Sequence, residues 1–106
     1  MDLSEVQIEH TYWREKNFPH QVSYEALLGM VEEVGELCHA HLKGVQGIRH
    51  TPEEVEAMKR DALGDIFIFA LSYCGSEKIN LEECIEDAWD NVRRRDWQAD
   101  PKLGGQ

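Results

Sequence analysis

The stretch Val31-Glu32-Glu33-Val34-Gly35-Glu36-Leu37 places three carboxylates within five residues, in the middle of the longest predicted helix. Residues three or four positions apart lie on one side of a helix, so Glu33 and Glu36 point the same way. Gly29 and Ala40 share that side, because consecutive residues are turned by about 100°. A solvent-facing side would carry long polar side chains. Two carboxylates between small residues therefore predict that another element packs closely against this side.

A second acidic pair lies about 30 residues later, inside a more apolar run. Asp61 and Asp65 are one helical turn apart and share a face. Between Ala62 and Cys74 the clearly polar groups are those of Asp65, Ser72 and Tyr73. A helix that is apolar nearly all round is central to a fold or to an oligomer. A carboxylate there is costly unless it is paired, hydrogen-bonded or metal-bound, so we expect this helix to dock on the glutamate helix.

Four carboxylates on two packed helices would form a site of hard oxygen ligands. Such a site suits Mg²⁺ or Mn²⁺ better than zinc. Without a cation, the like charges would raise one another's pKa and destabilise the fold. The predicted ligands are Glu33, Glu36, Asp61 and Asp65. Two simpler interpretations remain open: the glutamates form a solvated face, and Asp65 is satisfied by an arginine or a helix cap.

Start and stop signals predict four helices. The first helix is predicted to span Ser4 to Lys16, and the second to begin after Ser23 and end at Lys43. The third is predicted to run from Thr51 to Cys74, and the fourth from Asn80 into the arginines at 93–95. Ser4 with Gln7, and Asn80 with Glu83, resemble capping boxes. Gly44 and Gly75 are predicted to end the second and third helices. The helical period predicts one core stripe on the second helix, formed by Leu27, Met30, Val31, Val34, Cys38, His41 and Leu42.

Length and charge narrow the possible functions. A chain of 106 residues predicts a single domain, here residues 1–98, followed by a flexible tail at 99–106. A formal net charge of −10 repels phosphate backbones and anionic lipid, so we expect neither nucleic acid nor a membrane as a partner. The three cysteines form no CxxC pair and are predicted to be core thiols. With no signal peptide in view, the expected location is the cytoplasm.

Other site chemistry is less well supported by the residue pattern. Glu36 and His39 form a Glu-x-x-His, but a di-iron bundle needs a second copy of that motif. Cys38 and His41 have zinc-like spacing without a further pair. Residues 93–95 are the main positive cluster. They predict either salt bridges, within the chain or to a second subunit, or a clamp for phosphate oxygens at the edge of the metal site.

Three segments in this order resemble the all-alpha nucleoside triphosphate pyrophosphatases, specifically the MazG-like group often seen in phages. The resemblance covers nearly the whole chain. Residues 27–37 look like the EExxE helix of that family, and Asp61-Ala62-Leu63-Gly64-Asp65-Ile66 looks like its ExxD segment. Residues 88–97, Ala-Trp-Asp-Asn-Val-Arg-Arg-Arg-Asp-Trp, are similar to the closing helix of the phage-type members. One departure is clear, because the glutamate of ExxD falls on Ala62.

The resemblance implies a bundle of four to five helices completed by oligomerisation, as a homodimer or homotetramer. It implies Mg²⁺-dependent cleavage of a nucleoside triphosphate, usually a deoxynucleotide, to the monophosphate and pyrophosphate. Glu33 and Glu36 match metal-binding glutamates, and Asp65 matches the aspartate of ExxD. Glu32 matches the leading glutamate, a ligand or the group that orients the attacking water. Asp61, one turn before Asp65, is expected to replace the ligand lost at Ala62.

The remaining roles follow from the chemistry that this function requires. Glu32 is expected to accept the proton of the attacking water. Arg94 and Arg95, with Lys43, are expected to steady the leaving pyrophosphate. Asn91 is expected to bind the sugar or a phosphate, and Trp13, Tyr12 or Phe18 to stack on the base. The expected role is removal of dNTPs from the cytoplasmic pool. The alternative is a non-catalytic, metal-stabilised helical module that binds nucleotides or a partner, having lost full ligation at Ala62.

Overall fold

The computed structural model describes residues 1–102, which form four α-helices joined by short connections. Helix α1 spans Leu3–Asn17, α2 Ser23–Gln46, α3 Pro52–Glu77 and α4 Leu81–Val92. The predicted all-α class is confirmed. No helix within residues 1–102 is both long enough and apolar enough to cross a lipid bilayer. The last four residues of the predicted tail lie outside the described part of the chain.

Two of the predicted helix starts are confirmed with their caps. The side chain of Thr51 accepts a hydrogen bond from the backbone N–H of Glu54, and the Glu54 carboxylate accepts one from the Thr51 N–H. This reciprocal pair is a complete capping box. At α4, Asn80 Oδ1 accepts a hydrogen bond of 2.9 Å from the backbone N–H of Glu83. Both helices therefore begin where their sequences offer a partner for unpaired N–H groups.

The predicted start of α1 is wrong by two residues. Asp2 is the cap, and it outcompetes Ser4 because a carboxylate also interacts favourably with the positive helix N-terminus. The two residues predicted as a capping box bind the start of α4 instead. Ser4 Oγ donates to Glu82 Oε2 at 2.9 Å, and Gln7 Nε2 donates to the Ile79 carbonyl at 2.7 Å. These bonds attach α4 to the N-terminal half of α1.

The predicted stops at Gly44 and Gly75 are also wrong, because both glycines lie inside helices. Helix α2 ends at Gly47, which adopts the left-handed conformation with φ +65°. A Cβ added at Gly44 would lie 2.9 Å from Val55 Cγ1, and one at Gly75 would lie 2.9 Å from Thr11 Oγ1. Both glycines therefore allow close helix packing rather than chain reversal.

Helices α2 and α3 form an antiparallel hairpin, which is the central unit of the fold. Gly29 lies against the ring of Phe69 at one end, and Gly44 lies against Val55 at the other. Between them, Ala40 is only 1% exposed. The side of α2 predicted to pack closely is therefore confirmed. Helices α1 and α4 pack against α3 and against each other, but neither packs against α2.

The predicted core stripe of α2 is wrong for a single chain. Its members line a side of α2 that neither α1 nor α4 covers, and within the stripe Met30 is half-buried. Exposed side chains of this stripe are Leu27 (41%), Val31 (69%), Val34 (46%), Cys38, His41 and Leu42 (51%). The prediction of three core thiols holds only for Cys74, because Cys38 and Cys84 are exposed. The apolar period was recognised correctly, but the surface that covers it is not supplied by residues 1–102.

A polar seam that the sequence did not indicate joins α1 to α3. Arg14 is 8% exposed, and its Nη1 donates to Ser76 Oγ at 3.3 Å, while its Nε has no hydrogen-bond partner. His10 Nε2 lies 3.5 Å from Ser72 Oγ. Burial and the neighbouring Arg14 charge lower the pKa of His10. His10 and Arg14 are one turn apart on α1, which is the only sequence signal that this seam offers.

Candidate metal centre

Three glutamates of α2 form a compact oxygen cluster, which we call the glutamate trio. Glu32, Glu33 and Glu36 each offer a carboxylate oxygen, and these oxygens lie within 4.8 Å of one another. Within residues 1–102 no other set of three or more His, Cys, Asp or Glu side chains has this property. The helical spacing produces the cluster, since Glu36 comes three residues after Glu33 and four after Glu32, and such positions are neighbours on a helix surface. The trio can hold a metal ion, and its ligands are those that Mg²⁺ and Mn²⁺ prefer.

Among the three glutamates, Glu33 has the carboxylate that is most costly to leave without a cation or a hydrogen-bond donor. Its Oε2 atom is shielded from solvent and has no hydrogen-bond partner. Burial raises the pKa of Glu33, and the carboxylates of Glu36, Asp65, Glu32 and Asp61 raise it further, in that order. A shielded anion among like charges is costly unless a cation or a proton joins it. The residues therefore fit a divalent cation.

The second acidic pair approaches the trio from α3. Asp61 and Asp65 both act electrostatically on Glu33 and raise its pKa, so the second acidic pair lies within electrostatic range of that carboxylate. Asp65 is half-buried and Asp61 is exposed. Neither belongs to the group of oxygens within 4.8 Å, which instead contains Glu32, the residue predicted to be the base. The four-ligand set of Glu33, Glu36, Asp61 and Asp65 stays a prediction.

The position where the resembling family carries a glutamate is buried here. Ala62 is 3% exposed and lies on the side of α3 that faces α2. The contacts of Gly29 with Phe69 and of Gly44 with Val55 fix the register of the hairpin, which places Ala62 close to the level of Glu36. The small side chain lets the helices approach, but it offers no ligand. Asp61, next to Ala62, is exposed.

The described residues do not support the alternative zinc and di-iron sites. His39, His41 and Cys38 are exposed, and they join no cluster of three potential ligands in the described part of the chain. The prediction that His41 is a core histidine is wrong, because it lies on the same uncovered side of α2 as the predicted stripe.

Two residues predicted to bind substrate, Lys43 and Trp13, are not members of the trio. Lys43 is two helical turns beyond Glu36, and its Nζ donates to Gln46 Oε1 at 3.3 Å. Trp13 is 50% exposed on α1. Its ring lies 5.5 Å from the His10 ring and 5.6 Å from the Phe18 ring, measured between centroids. Trp13 is therefore partly accessible from solvent.

The other three predicted substrate residues lie at the far end of α4. Arg94 Nη2 is 4.0 Å from Asp90 Oδ2, and Arg95 lies over the Trp97 ring at 5.8 Å from its centroid. Asn91 is exposed in the last turn of α4. Helix α4, which carries Asn91 and leads into the two arginines, does not pack against α2 in a single chain.

A cleft that the sequence did not indicate lies at the other end of the hairpin. Its volume is about 510 Å³. It lies where α2 turns into α3, and its polar lining includes His41, His50, Glu56 and Lys59. It does not include the trio.

Comparison of the chain with known proteins found no matching family model, no matching curated protein and no matching solved structure.

The raised pKa of Glu33 predicts how stability depends on pH and metal. A carboxyl group whose pKa is raised in the folded state weakens folding above its ordinary pKa, and the penalty is relieved as pH falls towards about 4.5. Without divalent ions, Glu33→Gln is therefore expected to melt at a higher temperature than wild type at pH 7.5. This advantage should shrink at pH 5. Thermal unfolding followed by circular dichroism measures both.

Adding a divalent metal ion should make wild type melt at a higher temperature than Glu33→Gln. At a hundredfold excess of Mg²⁺ or Mn²⁺ over the dissociation constant, binding adds about 2.7 kcal/mol to wild type. Glu33→Gln should gain much less. Glu9→Gln, which removes one exposed charge from α1, is the control and should behave as wild type. A wild-type melting temperature that ignores divalent ions would contradict the assignment of a metal centre.

Proposed function

We propose that the chain is a Mg²⁺-dependent nucleoside triphosphate pyrophosphohydrolase, which cleaves a deoxynucleoside triphosphate to the monophosphate and pyrophosphate. The observation that carries the proposal is the glutamate trio, with the shielded, unpartnered Oε2 of Glu33 at its centre. The order of the EExxE-like and ExxD-like segments adds the reaction class by resemblance. Mn²⁺ has the same ligand preferences and is expected to substitute.

The charge of the chain supports a metal-dependent use of phosphate. At a formal net charge of −10, a triphosphate would be repelled unless cations accompany it. Glu33 and Glu36, joined by Asp61 and Asp65 from α3, are the residues that would hold Mg²⁺. Bound Mg²⁺ supplies Lewis acidity towards the phosphate oxygens.

Glu32 is assigned the role of accepting a proton from the attacking water molecule. It is exposed at the edge of the trio, so a water molecule can approach it. As the water oxygen bonds to phosphorus, the bond between the α and β phosphates breaks, and Glu32 accepts the proton that the water loses. Arg94, Arg95 and Lys43 are assigned to the charge on the leaving pyrophosphate. Asn91 and Trp13 are assigned to the nucleoside.

The proposal includes the assembly and the location. The protein acts as a homo-oligomer in the cytoplasm, where it removes nucleotides from the dNTP pool. Support for self-association comes from the uncovered apolar side of α2 and from α3, on which Phe67 is 55% exposed and Ile68 45% exposed. In a bundle of two hairpins, these surfaces would cover one another, which is the usual way to bury such stripes.

A second candidate function is favoured by one residue. Ala62 offers no ligand at the position where the resembling family has a glutamate. If Asp61 does not compensate, the centre would hold metal and nucleotide without turning the nucleotide over. The chain would then be a metal-stabilised module that binds nucleotides or a partner.

A product assay separates the two functions. Purified protein is incubated with Mg²⁺ and each of the common dNTPs and NTPs, and the products are resolved by anion-exchange chromatography. The proposal expects the monophosphate and pyrophosphate in equal amounts from at least one nucleotide. Nucleotide binding without any product would favour the binding module and overturn the enzyme.

A further inference from the structure

Arg14, in the seam between α1 and α3, is a buried charge without a counter-ion. It is 8% exposed, and its guanidinium group stays protonated at any ordinary pH. Within residues 1–102 it forms no ion pair, and its one side-chain hydrogen bond goes to the neutral hydroxyl of Ser76. A buried charge is costly unless an opposite charge accompanies it. The seam therefore lacks an anion.

The unpaired part of Arg14 is one edge of its guanidinium group. Nε is shielded from solvent and has no hydrogen-bond partner, and Nη2 donates to no other group within residues 1–102. The C-terminal end of α3 favours a nearby cation, but no backbone carbonyl there accepts from Arg14. The N–H groups of such an edge are parallel and match two oxygens of a carboxylate or a phosphate. This edge therefore has the geometry of an oxyanion ligand.

Thr11 brings a third donor to the same place. Its hydroxyl makes no hydrogen bond with the described part of the chain. A Cβ added at Gly75 would lie 2.9 Å from Thr11 Oγ1, 3.6 Å from Arg14 Nη2 and 3.8 Å from Arg14 Nε. The three donors therefore surround one point on the surface of α3, where Gly75 has no side chain to fill the space.

A cleft of about 390 Å³ between α1 and the start of α4 gives access to this point. Thr11 lines the cleft, together with Ser4, Gln7 and Asn80. Glu15 lines it as well, and the formal net charge of the chain is −10, so large polyanions are disfavoured. A small ligand with one phosphate group carries less charge and offers an oxygen to each of the three donors, whereas a carboxylate has only two oxygens.

We propose that the Nε–Nη2 edge of Arg14 and the hydroxyl of Thr11 bind the phosphate group of a small molecule beside Gly75. The two guanidinium N–H groups donate to two phosphate oxygens, and Thr11 Oγ1 donates to a third. The bound phosphate compensates the charge of Arg14 and stabilises the packing of α1 on α3. The site contains no member of the glutamate trio, so it does not depend on the proposed function.

Thermal unfolding in EDTA and chloride buffer at constant ionic strength tests the site without metal. At tenfold over its dissociation constant, inorganic phosphate should raise the wild-type Tm by about 6–11 °C. Arg14→Met, which replaces the charge with an apolar side chain, should melt at or above wild type without phosphate. It should gain nothing from phosphate and should then melt below wild type. An Arg14→Met variant that is less stable than wild type by the same amount with and without phosphate overturns the proposal.

Two further variants test the geometry around Arg14. Gly75→Ala fills the space beside Thr11 Oγ1 and should abolish the phosphate-dependent rise in Tm. Gly64→Ala is the control on the same helix, because its Cβ would meet nothing within 4 Å, and it should keep the rise. Thr11→Val, which removes one hydrogen bond to a charged group, should weaken phosphate binding about tenfold in calorimetric titration.

The source of the phosphate group is identified by titrating two ligands, inorganic phosphate and a deoxynucleoside monophosphate. Both titrations are made in EDTA on wild type and on Arg14→Met. Binding of either ligand that requires Arg14 supports the site, and the tighter of the two is the better match for its ligand. A wild type that binds neither, or a Gly75→Ala variant that binds as tightly as wild type, overturns the proposal. Since the trio holds no metal ion in EDTA, neither result bears on pyrophosphate release.

Discussion

Glu36→Gln is expected to lower kcat/KM for pyrophosphate release by about a thousandfold, or roughly 4 kcal/mol of transition-state stabilisation. Glu36 is exposed, one turn from Glu33, and its oxygen lies within 4.8 Å of those of both other trio members. Glutamine keeps the size of the side chain but removes the charge that the metal ion requires. Steady-state rates at saturating Mg²⁺ measure the loss.

The control for this substitution lies on the same helix. Glu25→Gln removes the same charge eleven residues earlier, about 16 Å from Glu36 along α2. It should retain activity within a few-fold of wild type. Because Glu36 is not buried, both variants should keep the helicity of wild type by circular dichroism. Equal rates for Glu36→Gln and wild type would show that the trio is a solvated acidic surface.

Gly29→Ala is expected to destabilise the fold by about 1–2 kcal/mol. A Cβ at Gly29 would overlap the ring of Phe69, closer than Cβ atoms approach other atoms in proteins. Overpacking of this kind costs about 1–3 kcal/mol, and the gain in helix propensity of up to about 1 kcal/mol offsets only part of it. Thermal or urea unfolding measures the change.

Gly35 provides a matched control six residues along the same helix. A Cβ there meets nothing within 4 Å, so Gly35→Ala should stabilise by up to about 1 kcal/mol. The two alanine variants should then differ by about 1–3 kcal/mol, or about 4–24 °C in Tm. Combining Gly29→Ala with Phe69→Leu should restore part of the loss, because the smaller side chain makes room. Equal stabilities of the two alanine variants would contradict the close contact of α2 with α3.

Local signals in the sequence were sufficient for much of this fold. Thr51 and Asn80 cap helices because the partners they need lie three residues away, which is a relation that sequence alone contains. The small residues around Glu33 predicted a closely packed side of α2 for the same reason. The cost of leaving carboxylates in an apolar helix predicted that Asp61 and Asp65 lie near the glutamates, and both act electrostatically on Glu33.

The parts that failed depend on distant contacts. Gly44 and Gly75 look like helix stops, yet each lies where another helix approaches, and no local pattern distinguishes the two uses. The stripe containing Val31 and Val34 has the period of a core, but whether a stripe is covered depends on which helices lie beside it. The buried contact of Arg14 has no local signal, because a single basic residue on α1 does not indicate that Ser76 accepts a hydrogen bond from it.

The most direct measurement of the central claim is a ³¹P NMR time course of the wild-type protein with Mg²⁺ and its best dNTP. The account predicts that the three triphosphate resonances are replaced by those of the monophosphate and pyrophosphate in equal amounts, with no orthophosphate. Conversion should stop when EDTA is added and should be about a thousandfold slower with Glu36→Gln. An unchanged triphosphate spectrum, or release of orthophosphate with a nucleoside diphosphate, would contradict the account.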